Sequence, residues 1–159
     1  MYTQKPYAAF GYVLVKNTYA ANEVVEVTVN DASTATFFWT RGKFHSVLKD
    51  TGEQDPDWEA GTFINPPDYI KGTFVQTPPV ETVVWCYEPK TNRGYAPPLS
   101  KFELSDGVQA TLTVGTKLFL CEGALEINGN IIQSPTQVLV KNGDKLAVAR
   151  GQCYGILFG

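Results

Sequence analysis

Apolar residues along this chain recur mainly at every second position, in short runs punctuated by Gly, Asn, Asp and Pro. No window carries apolar residues at i, i+3, i+4 and i+7 through three turns, so the periodicity predicts strands and almost no helix. The first run is Tyr7 to Val15, behind an arm, Met1 to Pro6, expected to be loose unless a neighbour holds it. Glu23 to Val29 reads Glu-Val-Val-Glu-Val-Thr-Val, the pattern of a half-buried strand. Asn30 to Ser33 is a turn signal, and Thr34 to Thr40 is expected to return from it as the second arm of a hairpin. Asp50 to Pro67, acidic and broken by Gly52, Pro56, Gly61, Pro66 and Pro67, reads as a long irregular loop. Thr73 to Gln76 and Glu81 to Tyr87 are strand-like, and Pro89 to Pro98 breaks the pattern again.

The last third has the clearest pattern. Lys117 to Ile127 is a strand ended by Asn128-Gly129, a pair that tolerates positive φ at both turn positions and so marks a tight hairpin. Gln137 to Val140, Lys145 to Arg150 and Gln152 to Phe158 follow as strands, with Asn142-Gly143-Asp144 as a turn. Many short strands at this spacing without crossover helices indicate a sandwich or barrel, its final strand held in a sheet.

With 159 residues the chain has the length of one domain. The alternative is two sub-structures, 1–90 and 98–159, parted at Pro89 to Pro98. A formal charge of −3, with Lys and Arg scattered, provides no footprint for nucleic acid or an anionic membrane. No apolar run nears the ~20 residues of a membrane helix. The opening residues lack the basic-then-apolar order of a secretory signal. Cys86, Cys121 and Cys153 form no Cys-x-x-Cys pair and lie in apolar runs, which makes them buried free thiols in a reducing compartment.

Leu118-Phe-Leu-Cys-Glu-Gly-Ala-Leu-Glu-Ile-Asn-Gly129, with Gly143-Asp144 and Gly151, resembles the second half of a cupin barrel. Cupins are antiparallel jelly rolls, many with a metal in the barrel. Their second motif runs Gly, five residues, Pro, one residue, Gly, two residues, His. Gly143 and Gly151 match it, Ala149 stands for the Pro and Tyr154 for the His. In the first motif the Glu falls on Thr116 and the His positions on Gln109 and Thr111, or on Ala110 and Leu112. The resemblance therefore implies the barrel without its metal ligands. A second echo, Gly72 to Pro78 with Val83 at the His position, raises an internal duplication. The Thr/Val/Asn-rich strands and exposed-looking aromatics also resemble accessory proteins of tailed-bacteriophage particles, such as head decoration, neck or tail components.

Candidate chemistry is sparse. His45 has no companion ligand and no activated nucleophile, and reads as a strand residue. Asp50-Thr51-Gly52 is a polar turn between Lys49 and Glu53, not a protease triplet set in apolar sequence. Asp55, Asp57 and Glu59 alternate, but Pro56 interrupts them and they match no calcium loop. Phosphate-cradle, nucleophile-elbow and His-Glu-x-x-His signatures are absent from the sequence. Aromatics make up 13% of the chain, and Trp58, Tyr69 and Tyr95 stand in irregular stretches, where they plug a barrel end or form contact hot spots.

The expectation is an all-β protein, a jelly-roll or cupin-like barrel or sandwich with extra N-terminal strands. It is a non-enzymatic assembly protein of a virion, made in the host cytoplasm, with no catalytic or metal residues and no cofactor. Its partners are copies of itself, as a homo-oligomer, and other virion proteins, through Tyr2, Pro6, Trp58, Tyr69 and Tyr95. Neither nucleic acid nor membrane is a partner. Two alternatives differ in class: a metal-independent sugar isomerase or epimerase using Glu122 or Glu126 with Tyr154 inside the barrel, and a glycan-binding module using the loop aromatics.

Overall fold

The computed structural model describes residues 2–29, 35–65, 72–93 and 97–159, with the backbone alone for Val29, Asp55 and Pro56. Every regular element among them is a strand: β1 (Thr3–Ala9), β2 (Tyr12–Tyr19), β3 (Val25–Val29), β4 (Thr36–Arg41), β5 (Lys43–Leu48), β6 (Gln54–Glu59), β7 (Phe63–Ile64), β8 (Gly72–Thr77), β9 (Thr82–Tyr87), β10 (Leu99–Leu104), β11 (Gln109–Leu112), β12 (Lys117–Ile127), β13 (Asn130–Gln133), β14 (Thr136–Leu139) and β15 (Lys145–Phe158). They divide into two compact units, Met1–Tyr7 with Val13–Gly94 and Ala8–Tyr12 with Tyr95–Gly159.

The first unit pairs a sheet of order β1-β2-β9-β4-β7 with one of order β3-β8-β5-β6. Strand β9 is buried at all six positions. Both its faces must therefore be covered, and it takes a central place between β2 and β4. The second sheet alternates: Phe44 and Ser46 of β5 point inward and His45 outward, as do Phe74 and Gln76 of β8 with Val75 half-buried between them. Trp39, Phe44 and Val84, from both sheets, meet in one core with Tyr19, Phe37, Trp58 and Ile64 around it.

Three expectations change here. Strands β3 and β4 form no hairpin: β3 pairs with β8 and β4 with β9, in different sheets. The turn signal at 30–33 lies outside the described residues. Adjacency in sequence suggested the pairing, but the two edges of β4 are taken by β9 and β7. Of the N-terminal arm, Thr3 to Pro6 belong to β1 instead of forming a loose segment. Phe10 and Gly11, both at positive φ (51° and 83°), turn the chain so that β1 runs beside β2. Asn17, 6% exposed, holds that strand: its Oδ1 accepts from the Tyr2 hydroxyl at 2.7 Å and Gln4 Nε2 at 2.9 Å, while its Nδ2 donates to Val84 O. The stretch from Asp50 to Pro67 contains β6 and β7; Asp50-Thr51-Gly52 is the turn before β6, with Gly52 N donating to Leu48 O.

In the second unit β12 is the hub, pairing with β13, β14 and β15, while β10 and β11 pair with the other edge of β15. Leu118, Leu120, Leu125, Ile127, Ala147, Ala149 and Cys153 form its core with Leu104, Leu112 and Val140. The expected hairpin turn is present, with Asn128 (φ 47°) and Gly129 (φ 87°) both left-handed. The two expected strands from Lys145 to Phe158 are one, irregular at Gly151 (φ 82°).

The inward positions on β12 switch parity, from Leu118 and Leu120 to Leu125 and Ile127, across register shifts flanking Glu122. Gly123 sits at that bulge with φ 97°, and a Cβ there would stand 2.6 Å from Gln152 O and 2.9 Å from Cys153 Sγ. A side chain at this position meets both backbone strain and a clash with the paired strand. Gly123→Ala is expected to destabilise the protein by about 2–4 kcal/mol. Gly129→Ala, where nothing lies within 4 Å of the added carbon, should cost about 1 kcal/mol. Chemical denaturation of both variants checks this, and equal losses would contradict the assigned role of the bulge.

Candidate functional site: an aromatic cavity in the first unit

Between the two sheets of the first unit lies a cavity of about 50 Å³, walled by Tyr19, Val27, Phe37, Trp39, Phe44, Trp58, Ile64, Gln76 and Val84. The strand register builds it. Trp39 lies opposite Val84 on β9, and Tyr19 opposite Thr82, so β2, β9 and β4 supply one wall. Phe44 and Trp58 face one another across β5–β6, and Gln76 of β8 lies in register with Ser46 of β5. The rings interlock edge to face: Trp39–Trp58 at 5.0 Å, Tyr19–Phe44 at 5.0 Å and Trp39–Phe44 at 6.1 Å between centroids. Such geometry sets the positive edge of one ring against the negative face of the next. Tyr2 stacks on Tyr19 at 4.8 Å from the other side. Burial pushes the Tyr19 hydroxyl far above its ordinary range, with the adjacent Tyr2 adding to the shift, so it stays protonated.

The residues singled out from the sequence fall in different places. Trp58 is on β6, half-buried in the core against Trp39 and Phe74, and it forms part of the cavity wall. Tyr2, 39% exposed, is tied to Asn17 and Tyr19. Pro6 is exposed on β1, the edge strand of its sheet, where a missing N–H discourages further pairing. Tyr69 and Tyr95 lie outside the described residues. His45 is exposed, its Nδ1 2.8 Å from Asp57 Oδ1, with Lys43 Nζ 3.8 Å from the same carboxylate. Gln76 escaped the sequence reading, although a long amide in the inward register of an alternating strand is a signal in itself.

The isomerase reading needs an acid and a base inside the second unit's core, and its residues are elsewhere. Glu122 and Glu126 do share a face of β12, since their partners Tyr154 and Val148 lie on one face of β15, but it is the face turned away from the core of Leu125, Ala147, Ala149 and Cys153. Glu126 lies outward beside Val148 and forms an ion pair with Arg150. Tyr154 does lie opposite Glu122 in register, but it shares the face of Phe119 and Ile156, opposite that of Leu118 and Leu120.

The two sheets of the first unit and the second unit's antiparallel sheet define an all-β protein of the jelly-roll, cupin-like class, and solved structures agree on the fold. HutD from Pseudomonas fluorescens SBW25 superposes with a TM-score of 0.56 at 12% identity, over 99% of this chain and 95% of that one. AerE from Microcystis aeruginosa follows at 0.52 and 9%, over 99% and 98%. A cupin 2 conserved barrel domain protein from Leptotrichia buccalis reaches 0.50 and 8%, over 99% and 88%. No protein-family model and no curated protein sequence matches the chain.

All three cysteines are buried, and no disulfide joins them among the described residues. Burial raises the Cys86 thiol far above the usual range, helped by Glu88 nearby, and raises Cys153 as well. Native protein at pH 8 is therefore expected to react with a disulfide reagent at least a hundredfold more slowly than a free thiol. In denaturant all three should react. One fast native equivalent, read by absorbance, would reveal a thiol that the fold leaves accessible. Asn17→Ala should cost about 1–3 kcal/mol and raise hydrogen exchange across β1, because it strands the groups that Asn17 satisfies.

Proposed function

We propose that this chain is a non-enzymatic assembly protein that acts through protein–protein contacts, as an accessory component of a virus particle of the tailed-bacteriophage kind. The observation that supports it most is the outer face of the second unit. Ile131, Glu126, Val148 and Gln109 lie in register across β13, β12, β15 and β11, with Leu146 two residues from Val148 on the same face. Ile131 is 61% and Leu146 46% exposed, while the neighbouring Glu126–Arg150 ion pair lies on the same side. Exposed apolar side chains on a regular sheet, bordered by a charged pair, suit a protein interface: the apolar residues lose water and the ion pair sets the register. The likeness of the sequence to particle accessory proteins adds the setting, and the partner is first of all a second copy of this chain in a closed, symmetric oligomer.

Light scattering on a size-exclusion column tests it. The expected result is a discrete oligomer that Ile131→Lys with Leu146→Lys converts to monomer, with stability changed by no more than about 1 kcal/mol because both side chains are exposed. A monomer at every concentration, absent from purified particles when probed by antibody, would refute the assembly reading.

A further inference from the structure

Packing alone does not account for two groups on the cavity wall. Trp39 and Gln76 are each 2% exposed, and among the described residues both Trp39 Nε1 and Gln76 Nε2 lack a hydrogen-bond partner. Ser46, the cross-strand neighbour of Gln76, is wholly buried and its hydroxyl is likewise unpartnered. Buried donors without acceptors are costly, and native cores keep few of them. Trp39 and Gln76 both belong to the wall of the aromatic cavity.

We propose that this cavity binds a neutral acylamino group, and that its occupant is the acetamido group of an N-acetylated amino sugar. An indole N–H can only donate and Gln76 Nε2 is a donor too, so the pair calls for an acceptor. A carbonyl oxygen, with two lone pairs, can serve both. The acceptor has to be neutral, because no charged side chain among the described residues lines the cavity and a desolvated anion would find no counter-charge there. The volume suits the group: at ~10–15 Å³ per water-sized probe, 50 Å³ holds about four heavy atoms, the number in an acetamido group. Its methyl has Val84, Phe44 and Val27 to pack against. Tyr19, Phe37 and Trp58 are only half-buried, so the cavity opens between aromatic faces, against which the C–H face of a pyranose ring packs. The assignment is independent of the assembly reading, which concerns the other unit.

The test follows the indole N–H signals of the ¹⁵N-labelled full-length protein, with Trp39→Phe identifying the Trp39 signal. N-acetylglucosamine is expected to move that signal with a dissociation constant of about 1 mM, and glucose, which lacks the acetamido group, to leave it in place. Gln76→Leu should weaken the binding about tenfold while the melting temperature holds or rises, since it removes an unpartnered amide from the core. N-methylacetamide should compete with the sugar. If N-methylacetamide moves the Trp39 signal and the sugar does not, the acylamino chemistry stands and the amino sugar is replaced by another N-acylated source. Silence with both compounds, an equal response to glucose, or unchanged affinity in a folded Gln76→Leu protein overturns the proposal.

Discussion

Strand β9, with no exposed position from Thr82 to Tyr87, has to be covered on both faces, and it lies at the centre of its sheet. Its neighbours come from distant parts of the chain, β2 on one side and β4 on the other. The other edge of β4 pairs with β7, and β3 pairs with β8 in the second sheet. The chain thus crosses between sheets from β3 to β4. The covering of β9 builds the cavity, because β9 and β4 present Val84 and Trp39 to the same interior that β5, β6 and β8 close from the other side.

The second unit was the more legible of the two, for a local reason. Asn128-Gly129 forces a two-residue turn whatever surrounds it, and the strands on either side inherit their register from it. The first unit has no such marker between β3 and β4. Its strands β4 and β9 are buried on both faces, which alternation patterns cannot express. Strand β1 was hidden for a related reason: Phe10-Gly11 is a weak turn signal, and the clamp on Tyr2 and Gln4 is a single asparagine on the next strand. Parity on β12 places Glu122 and Glu126 on one face, but the irregularity between Leu120 and Glu122 changes which face is inward, and theirs is turned away from the core.

The candidate site was legible only in its aromatics. Trp58 stood out because it lay in an acidic, proline-broken stretch, yet the structure sets it on a strand against Trp39 and Phe74. Aromatic enrichment identifies core and binding surface equally well, since both need large rigid side chains. What separates them is polar satisfaction, which depends on tertiary geometry. Asn17 and Gln76 are both buried amides, at 6% and 2% exposure. Asn17 has its hydrogen bonds made within the fold, to Val84 O, Tyr2 and Gln4, and so is structural.

Gln76 keeps an amide donor unmade in a place where leucine would pack without that loss. The comparison with Asn17 shows that the same sandwich can satisfy a buried amide fully. A donor left open beside a second open donor, Trp39 Nε1, and inside a cavity of matching size, lowers the stability of the free protein and offers that energy to whatever supplies the acceptor. Binding of this kind needs no catalytic group, since recognition rests on fixed donors, ring faces and the exclusion of water.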